Sequence, residues 1–116
     1  MRNNWNRSIA KRGVSKVSSI RISPSILNVD PSHLEQALDL VNQKADWLHL
    51  DIMDGIFVPN QTFSLEQSAG IIERMRVPVD AHLMVVEPER RAPEFASLGA
   101  ASVTFHYEAT DEPLEV

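Results

Sequence analysis

The sequence predicts an α/β fold built from repeated β-α units on a parallel sheet. Three observations carry that prediction. From Ile22 onward, short apolar runs alternate with stretches of helical periodicity. The runs around Trp47 to Gly55 and Val79 to Met84 place apolar and functional side chains on opposite faces in period 2. The helical stretches between them open on capping signals. Four strands and three helices are expected. An eight-stranded β/α barrel typically needs about 250 residues, so the 116 residues present are expected to hold only the first four strands of a parallel β/α (TIM) barrel that stops early at Val116.

Ile22 to Leu27 reads as the first strand. Asp30 can then cap a helix with Pro31 at its first position, and Leu34, Ala37, Leu38 and Val41 form its apolar stripe. Asp46 to Met53 is the second strand. After a loop from Asp54 to Phe63, Ser64 begins a capping box with Gln67, and Leu65, Ala69, Ile72 and Met75 follow at helical spacing. Pro78 to Met84 is the third strand. Glu87 and Pro88 open a third helix, which Pro93 is expected to restart after one turn and Gly99 to end. Ser102 to Tyr107 is the fourth strand, and Asp111-Glu112-Pro113 would begin a further helix.

Composition narrows the classes of function. The chain has no cysteine, which excludes disulfides, thiolate nucleophiles and Cys-type zinc sites and fits a reducing compartment, so a cytoplasmic location is expected. No apolar run is long enough to span a bilayer, and the N-terminus lacks a secretory hydrophobic region. The net charge of −5 conceals an asymmetry. Residues 1–21 hold six of the eleven basic residues and no acidic one, and are expected to be a disordered basic extension, with a nucleic-acid tail or an Arg-rich transit peptide as alternatives. Residues 22–116 carry five basic side chains against sixteen acidic, a balance that argues against contact with a phosphate backbone. Neither nucleic acid nor a membrane is expected as a partner.

The candidate chemistry lies on two strands. His49, Asp51 and Met53 share one face of the second strand, while His82 and Met84 share one face of the third. His49, Asp51 and His82 are therefore candidate ligands for one divalent cation. The ordinary alternative is a strand with a solvated polar face, which loses ground because the intervening helices imply a sheet covered on its other side. Met53 and Met84 would by default be core fillers, and Ser25 would by default satisfy backbone groups at a strand end. Asp54 suits a turn before Gly55 as well as it suits catalysis. His106 and Glu108 are expected to support the site from one strand face, His33 to be solvated, and Arg90-Arg91 to pair with Glu87, Glu89 and Glu94 on a helix surface.

Taken in order, several blocks resemble the ribulose-phosphate 3-epimerase family: Ser23-Pro24-Ser25-Ile26-Leu27; His49-Leu50-Asp51-Ile52-Met53-Asp54-Gly55 with Phe57-Val58-Pro59-Asn60; Asp80-Ala81-His82-Leu83-Met84 with Glu87-Pro88; and His106-Tyr107-Glu108-Ala109. The resemblance covers about residues 22–112. It implies a barrel of the ribulose-phosphate binding type and a metal-dependent enzyme of the pentose phosphate pathway that converts D-ribulose 5-phosphate to D-xylulose 5-phosphate through an enediolate. By the same resemblance His49, Asp51 and His82 hold the metal, Asp51 is also an acid/base group, and Ser25, His82, Met53 and Met84 contact the substrate. A second aspartate and the phosphate-binding loops would come from later strands.

The pattern departs from the family at Gln61-Thr62-Phe63-Ser64-Leu65, where a Gly-Pro pair usually follows the Thr and an apolar residue. The ligand set accepts zinc, iron, manganese or cobalt. Two alternatives stand beside the epimerase: a truncated, non-catalytic fragment whose open sheet edges would make it poorly soluble alone, and a sister epimerase acting on a six-carbon phosphorylated ketose. A sugar-phosphate decarboxylase would need a lysine where Met53 stands. Homo-oligomerisation of a full-length form is left open.

Overall fold

The computed structural model describes residues 19–116; the expected basic extension lies outside the described residues up to residue 18. The ladder holds three parallel strands in the order β1 (Leu48–Met53), β2 (Val79–Met84) and β3 (Ser102–Phe105). Helices α1 (Leu34–Lys44), α2 (Leu65–Arg74) and α3 (Pro88–Ser97) alternate with them. None of these helices is long and apolar enough to cross a membrane.

The α/β class and the parallel sheet are as expected, while the count of four strands is corrected to three. The Ile22 to Leu27 segment lies beside β1 but makes only one isolated parallel bridge, Ser25 to His49. Its carbonyls are used: Trp47 N–H donates to the Ile22 carbonyl at 3.1 Å, and His49 N–H to the Pro24 carbonyl at 2.9 Å. Pro24 has no N–H with which to return a bond, so the ladder cannot propagate through it.

Residue alternation sorts the sheet into two faces. Leu48, Leu50, Ile52, Val79, Ala81 and Leu83 are buried on one, and Leu38, Val41, Ile71, Ile72, Ala92 and Phe95 from the three helices join them in a single core. Burial of a large apolar side chain contributes about 1.5–3 kcal/mol, so this layer holds the backbone that carries the opposite face. That opposite face presents His49, Asp51, Met53, Asp80, His82 and Met84, of which only Asp51 is buried.

The caps explain where the helices begin. Asp30 accepts from Ser32 N–H at 2.9 Å and Pro31 follows it, although Pro31–His33 forms a 3-10 turn before α1 proper. Ser64 and Gln67 form a reciprocal capping box at α2, which starts the helix where the sequence predicts. In α3 the expected restart at Pro93 does not occur: the helix runs unbroken from Pro88 to Ser97. One backbone bond is lost there, but Ala92 and Phe95 on either side are anchored in the core. The fourth expected strand ends at Phe105 rather than Tyr107, because Tyr107–Ala109 turns into a 3-10 helix.

Candidate metal centre

Strand register builds this site. In the β1 and β2 pairing, Asp51 stands opposite His82 and His49 opposite Asp80, so four polar side chains fall into two adjacent rows on the face away from the helices. His49 Nε2 lies 3.1 Å from Asp51 Oδ1, and His82 Nδ1 lies 3.2 Å from the same oxygen. One ligand atom from each of His49, Asp51 and His82 falls within 4.8 Å of the others. Donors held at about 2.1 Å from one cation stand about 3.0–3.4 Å apart at tetrahedral or octahedral angles. The two nitrogen-to-oxygen distances fall in that range, and the nitrogen and oxygen donor set suits a first-row transition metal.

The second carboxylate oxygen of Asp51 has a different neighbour. Ser25 Oγ donates to Asp51 Oδ2 at 2.6 Å, and also accepts from Leu27 N–H at 3.1 Å. The isolated bridge to His49 is what brings Ser25 to this place. Met53 and Met84 are a register pair on the same face, half-buried, at the C-terminal ends of their strands.

The loop after β1 is tied down from below and above. Thr62 Oγ1 donates to the Asp51 carbonyl at 2.8 Å and accepts from Met53 N–H at 2.9 Å. Asp54 is a structural residue: Oδ1 accepts from Ile56 and Phe57 N–H at 2.9 Å each, and Oδ2 from Val86 N–H at 2.8 Å. Burial pushes the Asp54 carboxyl up, but the N–H groups of Val86, Ile56 and Phe57 together outweigh it and hold the group below its ordinary value. It thereby staples the ends of β1 and β2, at the rim of the site.

Of the expected site residues, His49, Asp51 and His82 converge, Ser25 joins them through Asp51, and the two methionines line the same face one row further on. His106 meets His82, with the two Nε2 atoms 2.9 Å apart. Glu108 sits in the 3-10 turn instead of on the strand, its carboxylate 3.5 Å from His106 Nδ1. Arg90 and Arg91 pair with Glu87 and Glu94 at 3.6 and 3.2 Å on α3, away from the cluster. Asp80 and Ser102 were not among the expected site residues: Asp80 Oδ2 lies 3.0 Å from His49 Nδ1, and Ser102 Oγ donates to Asp80 Oδ1 at 2.6 Å. Period 2 places Asp80 on the face of His82, so its face was readable, while its partner was not. A separate groove of about 540 Å³ between α1 and α2, lined by Leu34, Leu38, Phe63, Ile71 and Arg74, shares no residue with the cluster.

Fold and site together define an α/β protein whose parallel sheet is consistent with part of a β/α barrel and carries, on its polar face, a histidine and carboxylate cluster that could hold a metal ion. Residues 21–116 match the model of the Ribulose-phosphate 3 epimerase family. The chain belongs to that family. It is 48% identical over 95 residues to a ribulose-phosphate 3-epimerase of Mycobacterium bovis, a match that covers 82% of this chain and 41% of the relative. Similar proteins of the same name are found in Candida glabrata, at 39% identity over 112 residues with 82% and 46% covered, and in Synechocystis, at 40% over 96 residues with 82% and 42% covered. The chain spans less than half the length of these relatives.

Proposed function

We propose that the chain carries the metal-holding and first acid/base side of an epimerase that interconverts D-ribulose 5-phosphate and D-xylulose 5-phosphate. One observation supports this reading above the others: Asp51 turns Oδ1 to two imidazole nitrogens and Oδ2 to a hydroxyl. A single carboxylate so divided can serve a cation with one oxygen and a proton with the other.

Epimerisation beside a carbonyl removes a proton from carbon, passes through an enediolate and returns a proton on the opposite face. A divalent cation held by His49, Asp51 and His82, be it zinc, iron, manganese or cobalt, supplies positive charge beside the developing oxyanion. Asp51 Oδ2 takes the proton from carbon. Ser25, exposed and already bonded to that oxygen, fixes the carboxylate plane and contacts the substrate. Met53 and Met84 form an apolar wall that keeps water from the enediolate, and His82 contacts both cation and substrate. The proton returned on the opposite face comes, in this reading, from a second carboxylate outside residues 22–116. This reading carries with it a role in the pentose phosphate pathway and a cytoplasmic location.

The test is turnover of D-ribulose 5-phosphate by the full-length gene product, with the cation removed by a chelator and then restored. Activity is expected to disappear and return, and Asp51→Asn is expected to lower turnover about 100- to 10,000-fold, the range of a general acid/base group. Unchanged turnover in Asp51→Asn overturns the proposal.

A further inference from the structure

Resting on the metal centre proposed above, we infer that Asp80 and His106 are positioning residues that hold the two histidine ligands in opposite tautomers, His49 protonated on Nδ1 and His82 protonated on Nε2. The two rings address Asp51 Oδ1 through different nitrogens, Nε2 from His49 and Nδ1 from His82. A nitrogen that binds a cation offers its lone pair, so in each neutral imidazole the proton must sit on the other nitrogen.

At His49 that other nitrogen is Nδ1, 3.0 Å from Asp80 Oδ2. An ionised carboxylate only accepts, so Asp80 selects the Nδ1–H form. Asp80 is itself held: Ser102 Oγ donates to its other oxygen at 2.6 Å, from the position opposite it in the β2 and β3 register. His49, Asp80 and Ser102 thus form one row across three strands.

At His82 the other nitrogen meets a second imidazole, His106 Nε2, at 2.9 Å. The ring centroids are 5.1 Å apart and the planes only 26° from parallel, an edge-to-edge approach that lets an in-plane N–H meet an in-plane lone pair. One nitrogen must donate and the other accept. With His82 carrying its proton on Nε2, His106 accepts and keeps its own proton on Nδ1, the nitrogen that faces Glu108 Oε1 at 3.5 Å. The direction of the chain is therefore His82 to His106 to Glu108. Both ligand rings are oriented, and their lone pairs aimed, by groups that never touch the cation.

The experiment measures zinc affinity of the full chain by competition with a chromophoric chelator, for the unsubstituted form and for Asp80→Ala, His106→Phe and His106→Gln. Long-range proton–nitrogen spectra of the zinc-loaded unsubstituted chain give the tautomers directly, independently of how any variant folds. Expected are His49 bound through Nε2 with Nδ1 protonated, and His82 bound through Nδ1 with Nε2 protonated. Asp80→Ala and His106→Phe should each weaken zinc binding about 10- to 100-fold, and His106→Gln, whose carboxamide oxygen can still accept, should restore most of it. Affinities within about twofold in both deletion variants, or either ring bound through its other nitrogen, overturn the inference while leaving the metal centre standing. An unsubstituted chain that takes up no zinc overturns the metal centre, and this inference with it.

Discussion

Ser25 Oγ and Asp51 Oδ2 are joined by a 2.6 Å hydrogen bond across 26 residues of sequence. The bond occupies the carboxylate oxygen that the two histidines leave free, which under the proposed function puts Ser25 on the proton-transfer side of Asp51 and not on the cation side. Ser25→Ala is expected to lower kcat on D-ribulose 5-phosphate about tenfold, equivalent to about 1.4 kcal/mol in the barrier, with the affinity for zinc unchanged. Ser25→Thr, which keeps the hydroxyl, should recover most of the rate. A kcat equal to that of the unsubstituted protein would reduce the contact to a structural one.

Asp54 links acid stability to the geometry of the site. Its carboxyl is held below its ordinary value because the pull of three backbone N–H groups exceeds the opposing effect of burial. A depressed folded-state value means that the stabilisation is complete above the unfolded-state value, near 3.8, and is lost as pH falls through the folded-state value. Asp54→Asn should therefore be less stable by about 1–2 kcal/mol at neutral pH. The gap should narrow as pH falls below about 3.8 and close once pH is below the folded-state value. Urea unfolding of both forms between pH 7 and pH 2.5 measures it, and a gap independent of pH would count against the charge as its origin.

Most of the candidate centre was legible because period 2 is a strict rule: His49 with Asp51, and His82 with Met84, had to share faces once the strands were placed. What joins one strand to the next is not written locally. Asp80 reaches His49 only through a register between segments 31 residues apart, and a shift of one residue would have sent it to the other face. Ile22 to Leu27 has the apolar run of a strand, but the missing N–H of Pro24 cuts its ladder to a single bridge. At Pro93 the local rule for proline loses to core anchoring by Ala92 and Phe95. Glu108 left the expected strand face because the backbone turns directly after His106, a change that no periodicity announces.

Cation binding should stabilise the fold as well as activate the site. His49 and Asp51 stand on β1 and His82 on β2, so a shared ion ties two strands that are otherwise joined by their ladder and the core beneath. A ligand that binds only the folded state adds about 2.7 kcal/mol when present at 100 times its dissociation constant. Thermal melts are expected to shift upward on adding zinc and to return after chelation. Asp51→Asn should abolish the shift, since it removes the one formal negative charge in the triad, whereas Ser25→Ala should keep it. A zinc-dependent shift that survives in Asp51→Asn would place the ion elsewhere.

Two glycines should respond to alanine with opposite signs. Gly99 follows the C-cap of α3 at φ 103°, a region that L residues rarely adopt. Its N–H donates to the Ala96 carbonyl, and Ala100 N–H reaches back to the Phe95 carbonyl at 3.2 Å, closing the helix end over the buried Phe95 ring. An added Cβ would meet Ile72 Cγ2 at 3.6 Å, an ordinary contact, so backbone strain alone sets the penalty. Gly99→Ala should lower stability by about 1–2 kcal/mol. Gly70 instead lies inside α2, and an added Cβ there meets nothing within 4 Å. Alanine removes the conformational freedom of glycine from the unfolded chain and leaves the helix undisturbed, so Gly70→Ala should raise stability by about 0.5–1 kcal/mol. Urea midpoints should move in opposite directions at unchanged slope. A destabilised Gly70→Ala would mean that the groove between α1 and α2 does not tolerate even a methyl group at its edge.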